Sequence, residues 1–149
     1  MFLNTYENSL DAKGRCIVPA KFRDDLGNSC VIVKFFDDCL YIYTKEYWLR
    51  YTQEHIESRP DEDLDAMILK DDWYAGSQAC EVDKQGRITI RQDFLDHANI
   101  TKEIVNVGQL NRIKVWSKEN YDEMEAQNAP SRMKRFASMN KYNPKPKSE

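Results

Sequence analysis

No apolar run of transmembrane length occurs in this 149-residue chain; a helix needs about 20 consecutive apolar residues to span a bilayer. A secretory leader is not visible either, since Met1-Phe-Leu-Asn-Thr-Tyr-Glu7 turns polar within four residues. The expectation is a cytoplasmic protein that does not enter a membrane. Catalytic signatures are missing as well. There is no P-loop, no G-x-G-x-x-G, no H-E-x-x-H and no serine or cysteine in a nucleophile elbow. The two histidines, His55 and His97, stand alone on helical stretches. Four cysteines (Cys16, Cys30, Cys39, Cys80) have no C-x-x-C spacing, and they read as small buried thiols in a reducing compartment. Carboxylates crowd into residues 54–72, where Asp61-Glu-Asp-Leu-Asp65 and Asp71-Asp72 read as caps and solvated helix faces. These absences argue against an enzyme, a cofactor, a metal and a small-molecule ligand.

Charge is present but unevenly placed. Residues 127–149 hold six basic side chains (Arg132, Lys134, Arg135, Lys141, Lys145, Lys147) and one acid, Glu149. That segment carries +5, so against a total of −3 residues 1–126 carry −8. With three prolines and few large apolar residues it reads as a basic, largely disordered arm. It serves either solubility or a sequence-independent attraction to phosphates.

What the chain does have is a repeated phrase. Asp11-Ala-Lys-Gly-Arg15 returns 72 residues later as Asp83-Lys-Gln-Gly-Arg87. Without a gap, Phe22 falls on Phe94, Asp24 on Asp96, Ile32 on Ile104 and Val33 on Val105. One inserted residue then aligns Thr44-Lys45-Glu46 with Ser117-Lys118-Glu119. An internal duplication of this kind makes one pseudo-symmetric domain with a shared core.

The pattern around each copy is β. Runs at 6–10 and 15–18 flank the first turn, and Asp-x-x-Gly between them is a hairpin signal. Cys16 and Val18 are expected on one face. Pro19 opens a short helix that buries Phe22 and Leu26. Strands follow at 31–36 and 40–43, and the order recurs at 78–82, 87–90, 104–107 and 112–116. Thr44 and Ser117 are expected N-caps of the closing helices. A linking helix from Asp61 shows Leu64, Met67 and Ile68 on one face. The fold class is mainly β with α (α+β). The expected divisions are 1–59 and 77–126 for the halves, 60–76 for the link and 127–149 for the arm.

The candidate reading residues are the cations of the two turns. Arg15 and Lys13 mark the first, with Lys21 and Arg23 just beyond; Lys84 and Arg87 mark the second, with Arg91 beyond it. A guanidinium donates paired hydrogen bonds that suit phosphate and guanine. The alternative is that Asp11 holds Arg15, and Asp83 holds Arg87, for structure alone; both roles are compatible. A body of −8 with two small basic spots neutralises few phosphates, which calls for many copies acting together.

These residues resemble the MraZ family of bacterial regulators. The resemblance is carried by Tyr6-Glu-Asn-Ser-Leu-Asp-Ala-Lys-Gly-Arg15 with Ile17-Val-Pro-Ala-Lys-Phe-Arg23, and by Cys39-Leu-Tyr-Ile-Tyr43 with Trp48. Glu81-Val-Asp-Lys-Gln-Gly-Arg-Ile88 and Asn111-Arg-Ile-Lys-Val-Trp-Ser117 complete it, over about residues 1–125. It implies a tandem AbrB-like (SpoVT-AbrB) fold, with two β-β-α-β-β halves interlocked as a swapped-hairpin barrel. It also implies a ring-shaped homo-oligomer that binds short direct repeats in double-stranded DNA. Those repeats lie upstream of the division and cell-wall gene cluster that includes its own gene, where it represses transcription at the nucleoid. By position the implied DNA contacts are Asp11, Lys13, Arg15, Asp83 and Arg87. Three departures stand out: Cys16, in the first repeat, mildly replaces an aliphatic residue; Gln85 stands where Lys13 stands, so the second turn is less basic there, with Lys84 in part compensating; and Arg91 replaces the equivalent of Pro19, which loosens the start of the second short helix. The rival reading is an antitoxin-like interaction module whose arm at 127–149 wraps a partner.

Overall fold

A computed structural model describes residues 1–139. Eight strands and six helices follow one another in two repeats. The first repeat holds β1 (Thr5–Ser9), β2 (Arg15–Ile17), α1 (Ala20–Leu26), β3 (Ser29–Lys34), β4 (Leu40–Thr44) and α2 (Lys45–Thr52). A π-helical turn, Gln53–Glu57, extends α2, and α3 (Leu64–Ala75) leads to the second repeat. There the order is β5 (Ser77–Glu81), β6 (Arg87–Thr89), α4 (Gln92–His97), β7 (Glu103–Gly108), β8 (Arg112–Ser117) and α5 (Lys118–Asn128). A single 3-10 turn, Ala129–Ser131, then joins α5 to α6 (Arg132–Met139).

The repeats do not fold side by side. They exchange strands: β1 pairs with β7, β5 pairs with β3, and β4 pairs with β8, all antiparallel. The result is one six-stranded sheet in the order β1-β7-β8-β4-β3-β5, with a separate ribbon of β2 and β6. The order is symmetric about the β4–β8 pair, as a duplicated sequence requires. The α+β class expected from the sequence is observed. No ladder joins β1 to β5 among the described residues, so hydrogen bonding does not close the sheet into a barrel.

Each face of the sheet has its own core. One face packs against the ribbon and the short helices α1 and α4, where Phe22, Phe94, Ile32, Ile113 and Leu40 are buried. Phe2 and Tyr6 meet Phe22 edge-on at centroid distances of 5.3 and 5.1 Å, an arrangement that satisfies the ring quadrupoles. On the other face α2 and α3 cover Val31, Val33 and Tyr43 with Ile56 and Trp73. Each such side chain contributes roughly 1.5–3 kcal/mol by leaving water.

The helix ends follow their chemistry. Thr44 and Ser117 cap α2 and α5, their hydroxyls accepting the N–H of Tyr47 and Asn120 at 3.0 Å each. Pro19 sits at the N-cap of α1, one place before the position expected for it, and Arg91 occupies the same place before α4. The linking helix begins at Leu64 rather than Asp61, because Asp63 is the residue that caps it, accepting from Asp65 N–H. Its buried side is Ala66 and Trp73, while Leu64, Met67 and Ile68 face solvent. Residues 132–139 are helical where composition suggested an irregular arm; residues 140–149 of that arm lie outside the described residues.

Candidate nucleic-acid interface

Each repeated phrase forms a closed loop. Asp11 N–H donates to the Arg15 carbonyl at 2.8 Å, and Gly14 N–H donates to the Asp11 carbonyl at 3.1 Å. The second loop repeats both bonds at 2.9 Å. Gly14 and Gly86 take φ of 76° and 78°, a left-handed conformation that costs other residues a Cβ clash. The aspartate is the inner brace. Asp11 Oδ1 accepts the N–H groups of Lys13 and Arg15, both at 2.9 Å, and Asp83 Oδ1 does the same for Gln85 and Arg87 at 2.9 and 2.8 Å. These bonds, led by the arginine amide, hold both carboxyls below their ordinary value of 3.8.

The second carboxylate oxygen fixes the arginine. Asp11 Oδ2 accepts Nε of Arg15 and Asp83 Oδ2 accepts Nε of Arg87, each at 2.8 Å. Among the described residues the terminal guanidinium nitrogens make no hydrogen bond. The internal ion pair and an outward-facing fork therefore coexist.

The arms of each loop do not form a hairpin ladder with each other, in contrast to the hairpin reading of the sequence. Instead β2 pairs with β6, so the two loops meet in one two-stranded ribbon. Val18 N–H donates to the Gly86 carbonyl and Ile90 N–H to the Gly14 carbonyl, at 2.8 and 2.9 Å, tying each loop to the other repeat. Side chains replace the missing ladders. Asn8 Nδ2 donates to the Ile17 carbonyl, and Gln78 Nε2 donates to the Thr89 carbonyl.

Alternation along the ribbon sorts its side chains. Cys16 and Ile88 oppose each other and point into the core. Arg15 opposes Thr89 and Ile17 opposes Arg87, and residues directly opposite in an antiparallel pair share a face. All four thus lie on the outer face, with the arginines diagonal across it. Arg15 and Arg87 side chains are 27% and 28% exposed, and Ile17 is 49% exposed between them. Lys13, Lys21 and Lys84 are exposed and enter no ion pair among the described residues.

The ribbon has a third arginine. Arg23, on α1, donates Nε to the Val18 carbonyl at 3.0 Å and lies against Gly86, where a Cβ would come within 2.6 Å of that nitrogen. Its counterpart by repeat is Leu95, which lies near Gly14. The second loop, less basic by sequence at Gln85, is supplied with a cation from the first repeat. Ile17 and Thr89 were not singled out from the sequence, although the alternation that turns Cys16 inward also turns them outward.

A family model for MraZ, antitoxin-like by its description, matches the chain twice, over residues 1–71 and 73–143. The chain belongs to the MraZ family. The second match runs beyond residue 125 and takes in α6. Proteins named transcriptional regulator MraZ are similar along most of their length. The one from Clostridium tetani (strain Massachusetts / E88) is 40% identical over 123 residues, covering 83% of this chain and 86% of its own. That of Desulforamulus reducens is 39% identical over 127 residues, covering 85% and 89%. That of Lachnoclostridium phytofermentans is 43% identical over 122 residues, covering 82% and 85%.

Beyond the ribbon the chemistry is sparse. Among the described residues no group of three or more His, Cys, Asp or Glu side chains is placed to hold a metal ion. Cys16, Cys30 and Cys39 are buried and Cys80 is half-buried, all as free thiols. Burial pushes the Cys16 and Cys39 thiols up to about 12. No helix among the described residues is long and apolar enough to cross a membrane.

Proposed function

We propose that this MraZ-family protein is a sequence-specific DNA-binding transcriptional regulator without catalytic activity. The observation that carries the reading is the outer face of the β2–β6 ribbon. There two arginines, each anchored through Nε, present their terminal nitrogens to solvent across Ile17 and Thr89. A two-stranded ribbon fits the major groove of B-DNA, where a bidentate guanidinium reads guanine and an apolar or threonine side chain meets a thymine methyl. In this reading Arg15 and Arg87 read bases, with Ile17 and Thr89 beside them. Lys13, Lys21 and Lys84 set the register through phosphates, and Asp11 and Asp83 orient the arginines.

The partner is double-stranded DNA carrying short direct repeats upstream of the protein's own gene, in the division and cell-wall gene cluster. The outcome is repression, and the site of action is the nucleoid in the cytoplasm. One ribbon is small, so several copies in a ring-shaped homo-oligomer engage successive repeats, and avidity supplies what one ribbon lacks. The exchange of strands between repeats supports describing each chain as two interlocked AbrB-like halves.

The test is a binding titration of the full chain against the DNA immediately upstream of its gene. Arg15→Ala is expected to lower affinity by about 5- to 150-fold, in line with about 1–3 kcal/mol for a bidentate base contact. Circular dichroism and assembly size stay the same. Binding by the variant at wild-type strength removes Arg15 from the interface and defeats the reading.

A further inference from the structure

The sheet face away from the ribbon carries a cleft of about 280 Å³. Buried Val33 and Tyr43 line it together with Phe35, Tyr41, Tyr51 and Trp73. The rings interlock: Trp73 lies 5.3 Å from Tyr51 and 6.0 Å from Tyr43, and Phe35 meets Trp73 edge-on at 5.5 Å. Phe36 completes the lining and is 76% exposed. The fold does not require this concentration of rings. In the second repeat the positions equivalent to Tyr41, Tyr43 and Tyr51 are Lys114, Trp116 and Met124. The duplicated architecture is built there with one ring in place of three.

The cleft also has a cation with only neutral partners. Arg112, on β8, donates Nη1 to the Tyr43 hydroxyl at 3.0 Å and Nε to Gln109 Oε1 at 3.1 Å. It is half-buried. Among the described residues it forms no ion pair, and its Nη2 makes no hydrogen bond. Tyr43 accepts from Arg112, while its own hydroxyl proton has no acceptor among the described residues. A guanidinium N–H and a phenolic O–H thus sit side by side as donors, and a charged donor away from water favours an anionic acceptor. The carboxylate at the same cleft is engaged already: Asp37 accepts the Tyr41 hydroxyl and pairs with Lys114 at 3.8 Å. Aromatic faces attract cations, but the Tyr41 ring already carries Arg112 at 4.5 Å and Lys114 at 5.6 Å. A further cation would be repelled by both.

We propose that this cleft binds a small planar aromatic acid. Its ring lies among Trp73, Tyr51 and Phe36, and its carboxylate meets Arg112 and the Tyr43 hydroxyl. Size sets the class. An apolar cavity of about 150 Å³ holds benzene, so a cleft of about 280 Å³ takes one or two fused rings with a short acidic arm. Stacking and edge contacts with the aromatic walls fix the plane of the ring. The guanidinium fork fixes the acid end. The site belongs to the core under α2 and α3, whereas the ribbon belongs to the core on the other face of the sheet. The inference therefore stands apart from the DNA reading and does not depend on it.

The test is isothermal titration calorimetry on the full chain with three probes that share one ring: indole-3-acetate, indole-3-acetamide and tryptamine. The acid is expected to bind with a dissociation constant below about 1 mM. The neutral amide is expected to bind at least about tenfold more weakly, because the charge-assisted hydrogen bond is lost, and tryptamine not detectably. Arg112→Gln keeps a donor for Tyr43 and removes the charge. It is expected to weaken the acid by about tenfold or more and to leave the amide unchanged. Phe36→Ala, at an exposed position, is expected to weaken acid and amide by the same factor. Circular dichroism establishes that both variants are folded. Equal binding of acid and amide by the wild type overturns the proposal, as does an acid preference that survives in Arg112→Gln. Tighter binding of tryptamine assigns the cleft to cations through Asp37 and also overturns it. So does a folded wild type that binds none of the three. The Arg15→Ala titration judges the ribbon separately, so neither result decides the other.

Discussion

Asp11 holds Arg15 by one edge only: Oδ2 takes Nε at 2.8 Å, and Oδ1 is occupied by two backbone amides of the same loop. The carboxylate thus builds the loop and aims the guanidinium with different oxygens. Asn in place of Asp11 keeps an oxygen for the amides and offers no anion to Nε. Asp11→Asn is therefore expected to leave the loop formed while releasing the side chain, and Asp11→Ala to loosen both. Amide exchange at Lys13 and Arg15 separates them. Slow exchange in the Asn variant with fast exchange in the Ala variant is the expected pattern, with weaker DNA binding in both. Equal exchange in the two variants contradicts the division of labour.

The same geometry sets a pH window. Asp11 and Asp83 have folded values depressed below 3.8, chiefly through the arginine amides. A depressed carboxyl contributes stability above its unfolded value and loses it as the pH falls through the folded one. The loops are therefore expected to be insensitive to pH from neutrality down to about 5 and to lose this contribution below 3.8. Carboxyl carbon shifts followed by NMR report it directly. A midpoint for either residue above its ordinary value contradicts the assignment.

The sequence made local features legible and non-local ones obscure. The loops, the caps at Thr44 and Ser117 and the buried Phe22 and Leu26 depend on neighbours within a few positions, and they formed as the pattern implied. The place of Arg15 and Lys13 on the first of those loops is local in the same sense. The joining of β2 to β6 is not. It pairs residues about seventy positions apart, and nothing in either strand names its partner, so the sequence does not show that Ile17 and Thr89 lie beside the arginines or that Arg23 reaches the loop of the other repeat. α3 misled for a different reason. Its apolar stripe at Leu64, Met67 and Ile68 is outside, and a single tryptophan supplies most of its seat. The helix at 132–139 was hidden by basic, proline-containing surroundings.

That tryptophan is expected to dominate the stability of the second core. Trp73 is 2% exposed and donates Nε1 to Thr52 Oγ1 at 2.9 Å, and Thr52 in turn donates to the Trp48 carbonyl at 2.6 Å. Truncation to alanine removes a large buried ring and leaves a cavity, at about 3–5 kcal/mol. Chemical denaturation of Trp73→Ala is expected to show that loss, with Trp73→Phe intermediate because most of the volume remains. A loss below about 1 kcal/mol means α2 and α3 are not held by this residue.

Gly76 ends α3 where no side chain fits. A Cβ there would lie 2.3 Å from the Lys34 carbonyl oxygen and 2.8 Å from that of Asp72. Both are backbone atoms, and Lys34 N–H donates to the Gly76 carbonyl at 2.8 Å. Gly76→Ala must push α3 off β3, at a cost of about 1–3 kcal/mol for overpacking. Unchanged unfolding midpoints for this variant contradict the close approach.

Cys80 is expected to be the most reactive thiol. It opposes Cys30 across the β3–β5 pair, and the Cys30 thiol, by hydrogen bonding, lowers the Cys80 value below that of an ordinary cysteine while its own is raised. The thiolate is the attacking form, and Cys80 is also the one cysteine of the four that is not fully buried. Limited alkylation at neutral pH followed by peptide mass analysis is expected to find Cys80 modified before Cys16, Cys30 and Cys39. Cys30→Ala removes the hydrogen bond, so the rate at Cys80 near pH 7 falls even though access to it increases. A faster rate in that variant shows that exposure alone, and not the neighbouring thiol, governs the reactivity of this pair.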